Sequence, residues 1–200
     1  MMVQNSINCH VNDALHHIKQ AEYGAHYMVI YPDLGTLREL YSNYIHEQIE
    51  HNNETVVVTP FYETTDSTRQ VLSEKYDDGM NSISRCEKQE SLIIIDALEE
   101  YFGDKDIDAK SFKMDLVDYA KGIGKNGVSI LGDMGAFSHN LKYDELVDYE
   151  LSLPTRIEEG IALKGFCLYH QKDFDRLSDE QKQKLVEHHG KVLKIVETSS

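Results

Sequence analysis

Histidines gather near both ends of this 200-residue chain, with His16, His17 and His26 before or at the opening of the first clear strand pattern and His188 and His189 at the close of the last helical one. Imidazoles supplied from two ends of a chain can share a metal ion or take up protons, provided the fold brings those ends together. The spacing does not itself specify a metal, since most of ten scattered histidines serve as hydrogen-bonded core or surface groups. Cys167 stands inside the apolar run GFCLY, where a small buried hydrophobe is the plainer reading and a reactive thiol the sharper one. Cys9, Cys86 and Cys167 are odd in number and widely spaced, which argues against a disulfide framework and against a paired metal knuckle. No spacing of nucleophile and base suggests a catalytic triad.

A second group of chemistry-bearing residues follows the strand patterns. Tyr31 and Asp33 come after the first, Phe61 and Tyr62 after the second, Asp96 after the third, Asp133 after the fourth, and Tyr169 and His170 after the fifth. In an open parallel sheet, ligands bind beyond the carboxyl ends of the strands, so these residues are expected to line one hollow, with Tyr31, Tyr62 and Tyr169 as aromatic walls. Each acid can equally cap the helix that follows it. Phosphate is excluded at the first such loop: YPDLGTLREL lacks the spaced glycines and the lysine followed by Ser or Thr of a phosphate cradle, and Asp33 would repel an anion there. GIGKNG, residues 122–127, precedes a strand rather than following one, and reads as a helix end and turn.

The elements that must hold these side chains alternate. Strands are expected at Tyr27–Tyr31, Thr55–Pro60, Ser91–Asp96, Val128–Asp133 and Gly165–Tyr169, with Lys191–Val196 as an edge strand. Apolar residues three and four apart, including Leu37, Leu40, Tyr41, Tyr44 and Ile45, mark a long first helix. A polar helix runs from about Ser67 to Tyr76 and leads into a turn region rich in Gly and Asn. A third helix spans Ser111–Lys125, with Phe112, Leu116, Tyr119, Ala120 and Ile123 at helical spacing. Another starts near Tyr143, carries Leu146, Val147, Glu150 and Leu151, and is kinked or restarted at Pro154. Ser178 and Gln181 form a capping box that opens the last, running to His189. Strands joined by crossover helices imply parallel pairing, hence a three-layer α/β/α sandwich around a mostly parallel sheet. Residues 1–200 are expected to form one domain, an extension over 1–24 and a core over 25–196.

Composition narrows the partners. Acidic residues number 35 against 20 basic ones, and the net charge of −15 sets the surface against direct nucleic-acid binding. No run reaches the length of a membrane span and the amino terminus lacks a secretory pattern, so a cytoplasmic protein is expected.

The segment HYMVIYPDLGTLRELYSNYIHEQIEHNNETVVVTP resembles the opening of the MEDS sensory domain, named for methanogens, methylotrophs and a dichloromethane-responsive regulator. LIIIDALEEYF, ILGDM, LVDYELSL, FCLYHQKDF and HHGKVLKI are similar, in the same order, to later landmarks of that family, over roughly His26 to Ile195. Asp133 stands where the family commonly has glutamate. The resemblance implies a fold like the RecA and KaiC ATPase core with its Walker A phosphate loop lost. It also implies site residues at His26, Tyr31, Asp96, Asp133, Glu150, Cys167, Tyr169 and His189, to which the strand-end reading adds Asp33.

The function implied is signal input: a small, hydrocarbon-derived ligand is sensed and its presence relayed to a histidine kinase or transcription regulator. As no output domain is evident in the sequence, the relay is expected to be noncovalent, with self-association left open. No cofactor is implied, and a metal is left open. Two other readings remain. One is an enzyme in which Asp96, Asp133 or Glu150 is the general base and His189 or a metal completes the site. The other is a degenerate ATPase-fold scaffold that binds no small molecule.

Overall fold

Runs such as HYMVIY and TVVVT, apolar and β-branched on both faces, can be satisfied only where helices cover both sides of a sheet. The computed structural model, which describes residues 6–103, 109–158 and 160–196 and no side chains over 109–114, has that arrangement. From the amino terminus come β1 (Ser6–Cys9), α1 (Val11–Lys19), β2 (His26–Tyr31), α2 (Leu34–Glu50), β3 (Thr55–Thr59), α3 (Thr65–Ser73), α4 (Gly79–Lys88), β4 (Leu92–Ile94) and α5 (Ala97–Phe102). The remainder is α6 (Ala109–Gly122), β5 (Val128–Asp133), α7 (Gly135–His139), α8 (Tyr143–Ser152), β6 (Leu163–His170), α9 (Gln171–Arg176), α10 (Asp179–His188) and β7 (Lys191–Ile195).

Among the described residues the strands form one seven-stranded sheet in the order β1-β7-β2-β6-β5-β3-β4, every neighbouring pair parallel. Side chains alternate between its faces. Val29, Tyr31, Leu131, Phe166, Leu168 and Leu193 pack with Ile18, Leu40, Tyr44, Leu72 and Ile83 from α1 to α4 on one side. Met28, Ile30, Cys167, Tyr169 and Val192 pack with Phe137, Leu146, Val147 and Leu185 on the other, where α7, α8 and α10 lie. The result is the expected three-layer α/β/α sandwich, with the sheet parallel throughout.

Three expectations change. Lys191–Ile195 is an interior strand rather than an edge, because Ser6–Cys9 pairs outside it and takes the edge position. The segment read as an extension therefore supplies an edge strand and, through Ala14 and Ile18, part of the core. The stretch from Gly79, read as a turn region, is α4, whose Ser82, Ile83 and Cys86 bury one helical face. Phe112 lies outside the described side chains. Residues 122–127 do end a helix and turn, with Gly124 at φ +83 and the Lys125 amide donating to the Ala120 carbonyl at 2.9 Å.

Candidate functional site

Two glycines prepare a space over the α8 side of the sheet. Gly132 of β5 and Gly165 of β6 present no side chain there, and a cavity of about 80 Å³ lies above them, walled by Tyr101, Ile130, Met134, Tyr149, Leu153 and Pro154. A Cβ on Gly132 would stand 2.6 Å from the Tyr101 hydroxyl, so this position admits nothing larger than hydrogen while that ring holds its place. The walls are mostly apolar. The polar members of the lining are His26, Cys167 and Glu158, with the tyrosines.

Behind His26 and Cys167 sits a buried cluster. His26, Glu150, Cys167 and His189 each direct one ligand-type atom to a common point, all four within 4.8 Å of one another. The register explains the meeting: His26 pairs with Gly165, which leaves room beside it, and Cys167 lies two residues further along the same face of β6. Glu150 comes from α8, on the helical face that carries the buried Leu146 and Val147. His189 caps α10, and the following Gly190 donates its amide to the His26 carbonyl at 3.0 Å, which ties the end of that helix to the start of β2.

The geometry is tight. His26 Nε2 lies 3.2 Å from Cys167 Sγ and 3.6 Å from Glu150 Oε2; Cys167 Sγ lies 3.4 Å from Glu150 Oε2, and His189 Nε2 also 3.4 Å from it. The far side of each group is fixed. His26 Nδ1 donates to the Pro154 carbonyl at 3.0 Å, His189 Nδ1 to the Leu185 carbonyl at 2.7 Å, and the Tyr169 hydroxyl to Glu150 Oε1 at 2.6 Å. A carbonyl cannot donate, so each Nδ1 carries its proton and, in the neutral ring, each Nε2 offers a lone pair to the centre. Burial opposes ionisation of Glu150, yet the imidazoles of His189 and His26 outweigh it and hold the carboxyl well below its ordinary range. Burial likewise opposes charge on His189, and Glu150 overcomes it, raising that pKa; for His26 burial prevails and the pKa falls. The ligand-type atoms are an imidazole pair, a sulfur and a carboxylate, a set suited to a transition metal.

The other expected residues lie elsewhere. Tyr31 is beside Ile30, the β2 residue registered with Tyr169, so the two tyrosines project from opposite faces of the sheet. Tyr31 donates to Asp133 Oδ2 at 2.9 Å on the α2 side, and Asp133 Oδ1 accepts the Gly135 amide at 2.9 Å. Burial pushes Asp133 up to about 7, against the lowering effect of both hydrogen bonds. Asp33 caps α2, accepting from the amide and hydroxyl of Thr36 at 2.9 Å, and Asp96 caps α5, accepting from the amides of Leu98 and Glu99. Both are exposed. The nine residues thus divide into a converging group (His26, Glu150, Cys167, Tyr169, His189), a buried pair (Tyr31, Asp133) and two caps, rather than lining one hollow. The strand-end crevice itself is filled: Tyr62 and Ser138 donate to Asp173, and the spaces beside this network measure about 10 Å³ each, room for one water.

Sequence reasoning did not find Tyr101, Met134 and Tyr149, which wall the cavity, or the buried ion pair of Lys164 with Glu54 at 2.8 Å. A lysine inside the apolar run LKGFCLY was the available signal for that pair, since a buried ammonium needs a partner.

A family model described as the methanogen/methylotroph, DcmR sensory domain, MEDS, matches residues 25–190. No curated protein and no solved structure matches the chain.

Proposed function

The chain belongs to the MEDS family of sensory domains, and from that premise we propose that its signal is a small, mostly apolar molecule with one polar group, bound in the cavity over Gly132 and Gly165. The observation that carries this reading is the cavity's make-up: mostly apolar walls with a few polar groups among them, His26, Cys167 and Glu158. A volume of about 80 Å³ is on the order of half that of a cavity that accommodates benzene, which limits the guest to a few heavy atoms and suits a simple hydrocarbon derivative such as a short alcohol, ketone, thiol or halide. The apolar part gains from leaving water, and the polar part finds donors and acceptors among those polar groups.

Relay to a kinase or transcription regulator requires that the guest favour one conformation over another. The segment after α8 is the natural responder: Leu153, Pro154 and Ile157 wall the cavity, and the Pro154 carbonyl is held by His26. A guest that displaces His26 therefore alters the support of that segment.

Thermal melting against a panel of such compounds tests the reading. At least one should raise the midpoint in a concentration-dependent way, by the mass-action relation between ligand excess and stability. A flat response across the panel, up to the solubility limit of each compound, would exclude it.

A further inference from the structure

We propose that His26, Glu150, Cys167 and His189 form the binding site of one zinc ion. The inference deepens the reading above, giving chemistry to two of the cavity's polar groups, and it rests on that reading only for the role of the adjoining space.

Four edges of the cluster carry the argument. Zinc bonds of about 2.0–2.1 Å to nitrogen or oxygen and about 2.3 Å to sulfur imply ligand-to-ligand edges of about 3.3–3.6 Å in a tetrahedron. The observed contacts from Glu150 Oε2 are 3.4, 3.4 and 3.6 Å, and that from His26 Nε2 to Cys167 Sγ is 3.2 Å. The remaining pairs lie within 4.8 Å and must draw inward on an ion.

An independent observation points the same way. His189 is fully buried, and its Nε2 approaches Glu150 without making an aligned hydrogen bond, so a polar atom aimed at the centre is left unsatisfied. An ion at that point would satisfy it. The supporting hydrogen bonds from Pro154, Leu185 and Tyr169 are those that orient metal ligands: they set both imidazole tautomers and fix one oxygen of the carboxylate. Charge also balances. A thiolate, a carboxylate and two neutral imidazoles around a divalent ion sum to zero, which a dry interior accepts far better than the separate charges. Sulfur and imidazole donors favour zinc over magnesium or calcium.

The test uses the full chain purified without a tag. Elemental analysis should find about one zinc per chain, and chelator-treated protein should take up one equivalent of cobalt(II) with the visible bands of a tetrahedral ion and a near-ultraviolet sulfur-to-cobalt band. Cys167→Ser should keep the uptake weaker and abolish the sulfur band, while Glu150→Gln weakens uptake at least tenfold; circular dichroism confirms that each variant is folded. Absence of retained zinc together with no saturable uptake overturns the site, as does a cobalt spectrum unchanged in Cys167→Ser. The compound panel, repeated on chelator-treated protein, separates the two readings. Stabilisation by a compound without any metal uptake sinks the zinc site and leaves the cavity reading standing; stoichiometric uptake without a response to any compound, in either form, upholds zinc and sinks the cavity reading.

Discussion

Tyr31 donates its hydroxyl to Asp133 at 2.9 Å in the layer beneath α2, on the other side of the sheet from Cys167 and Tyr169. The pair holds an acid that burial brings close to neutral titration, with a pKa of about 7. A folded-state pKa above the unfolded one means that the folded chain binds the extra proton, so this group's contribution to stability is complete below about pH 4 and is lost as pH rises through about 7. The span corresponds to roughly 4 kcal/mol. Asp133→Asn should therefore flatten the fall in stability between pH 4.5 and 8, read as urea midpoints at each pH. A difference between wild type and variant that does not change with pH would contradict it.

Lys164 and Glu54 form a second buried relationship, with Gln48 accepting from the lysine and Ser129 donating to the glutamate. Removing one partner leaves the other charged and dry. Lys164→Met should cost about 3–5 kcal/mol in equilibrium unfolding, and replacing Glu54 by Gln in the same chain should restore part of it. A single substitution that costs no more than an exposed pair would show that water reaches the site.

Tyr169→Phe removes only the hydroxyl that holds Glu150 at 2.6 Å. The loss of a hydrogen bond to a charged group should lower stability by about 1.5–3 kcal/mol. Weaker cobalt uptake should accompany it, by about 10–100-fold, because the carboxylate is no longer oriented. Stability lost with uptake unchanged would assign Tyr169 to the core alone.

Gly165→Ala offers a gentle way to fill the cavity. The added Cβ would find His26 Cδ2 at 3.6 Å as its nearest neighbour, an ordinary contact. Melting in buffer should stay close to wild type while the shift given by a stabilising compound shrinks. The reverse pattern would place the compound elsewhere.

Much of the fold could be read from one dimension. Val128–Asp133 begins and ends where the residue pattern places it, and the Ser178 and Gln181 capping box is present; the helix from Tyr143 starts as expected but stops at Ser152, with extended Leu153 before Pro154, rather than being kinked or restarted there. The edge strand was illegible because SINC is short and three of its four residues are exposed, leaving no alternation to detect. The site was half legible for a geometric reason. Chain order shows which residues follow strands, but only the register shows which face each takes, and one position separates Tyr31 from the residue opposite Tyr169. Asp33 and Asp96 illustrate the competing role: a carboxylate after a strand is as useful to the next helix as to a ligand. Glu150 carried a better signal, being an acid on the apolar face of its helix, in step with Leu146 and Val147.

His26 begins an interior strand of the sheet, and His189 stands at the end of the last helix. Whatever grips both rings ties nearly the whole polypeptide into a loop, as a clasp does a necklace, and so penalises the unravelled chain far more than a grip between near neighbours. The terminal elements β1, α1 and β7 lie outside that loop, so it is the body of the domain between His26 and His189 that the clasp holds. In such an arrangement, occupancy of the cluster and cohesion of the chain between His26 and His189 rise and fall together.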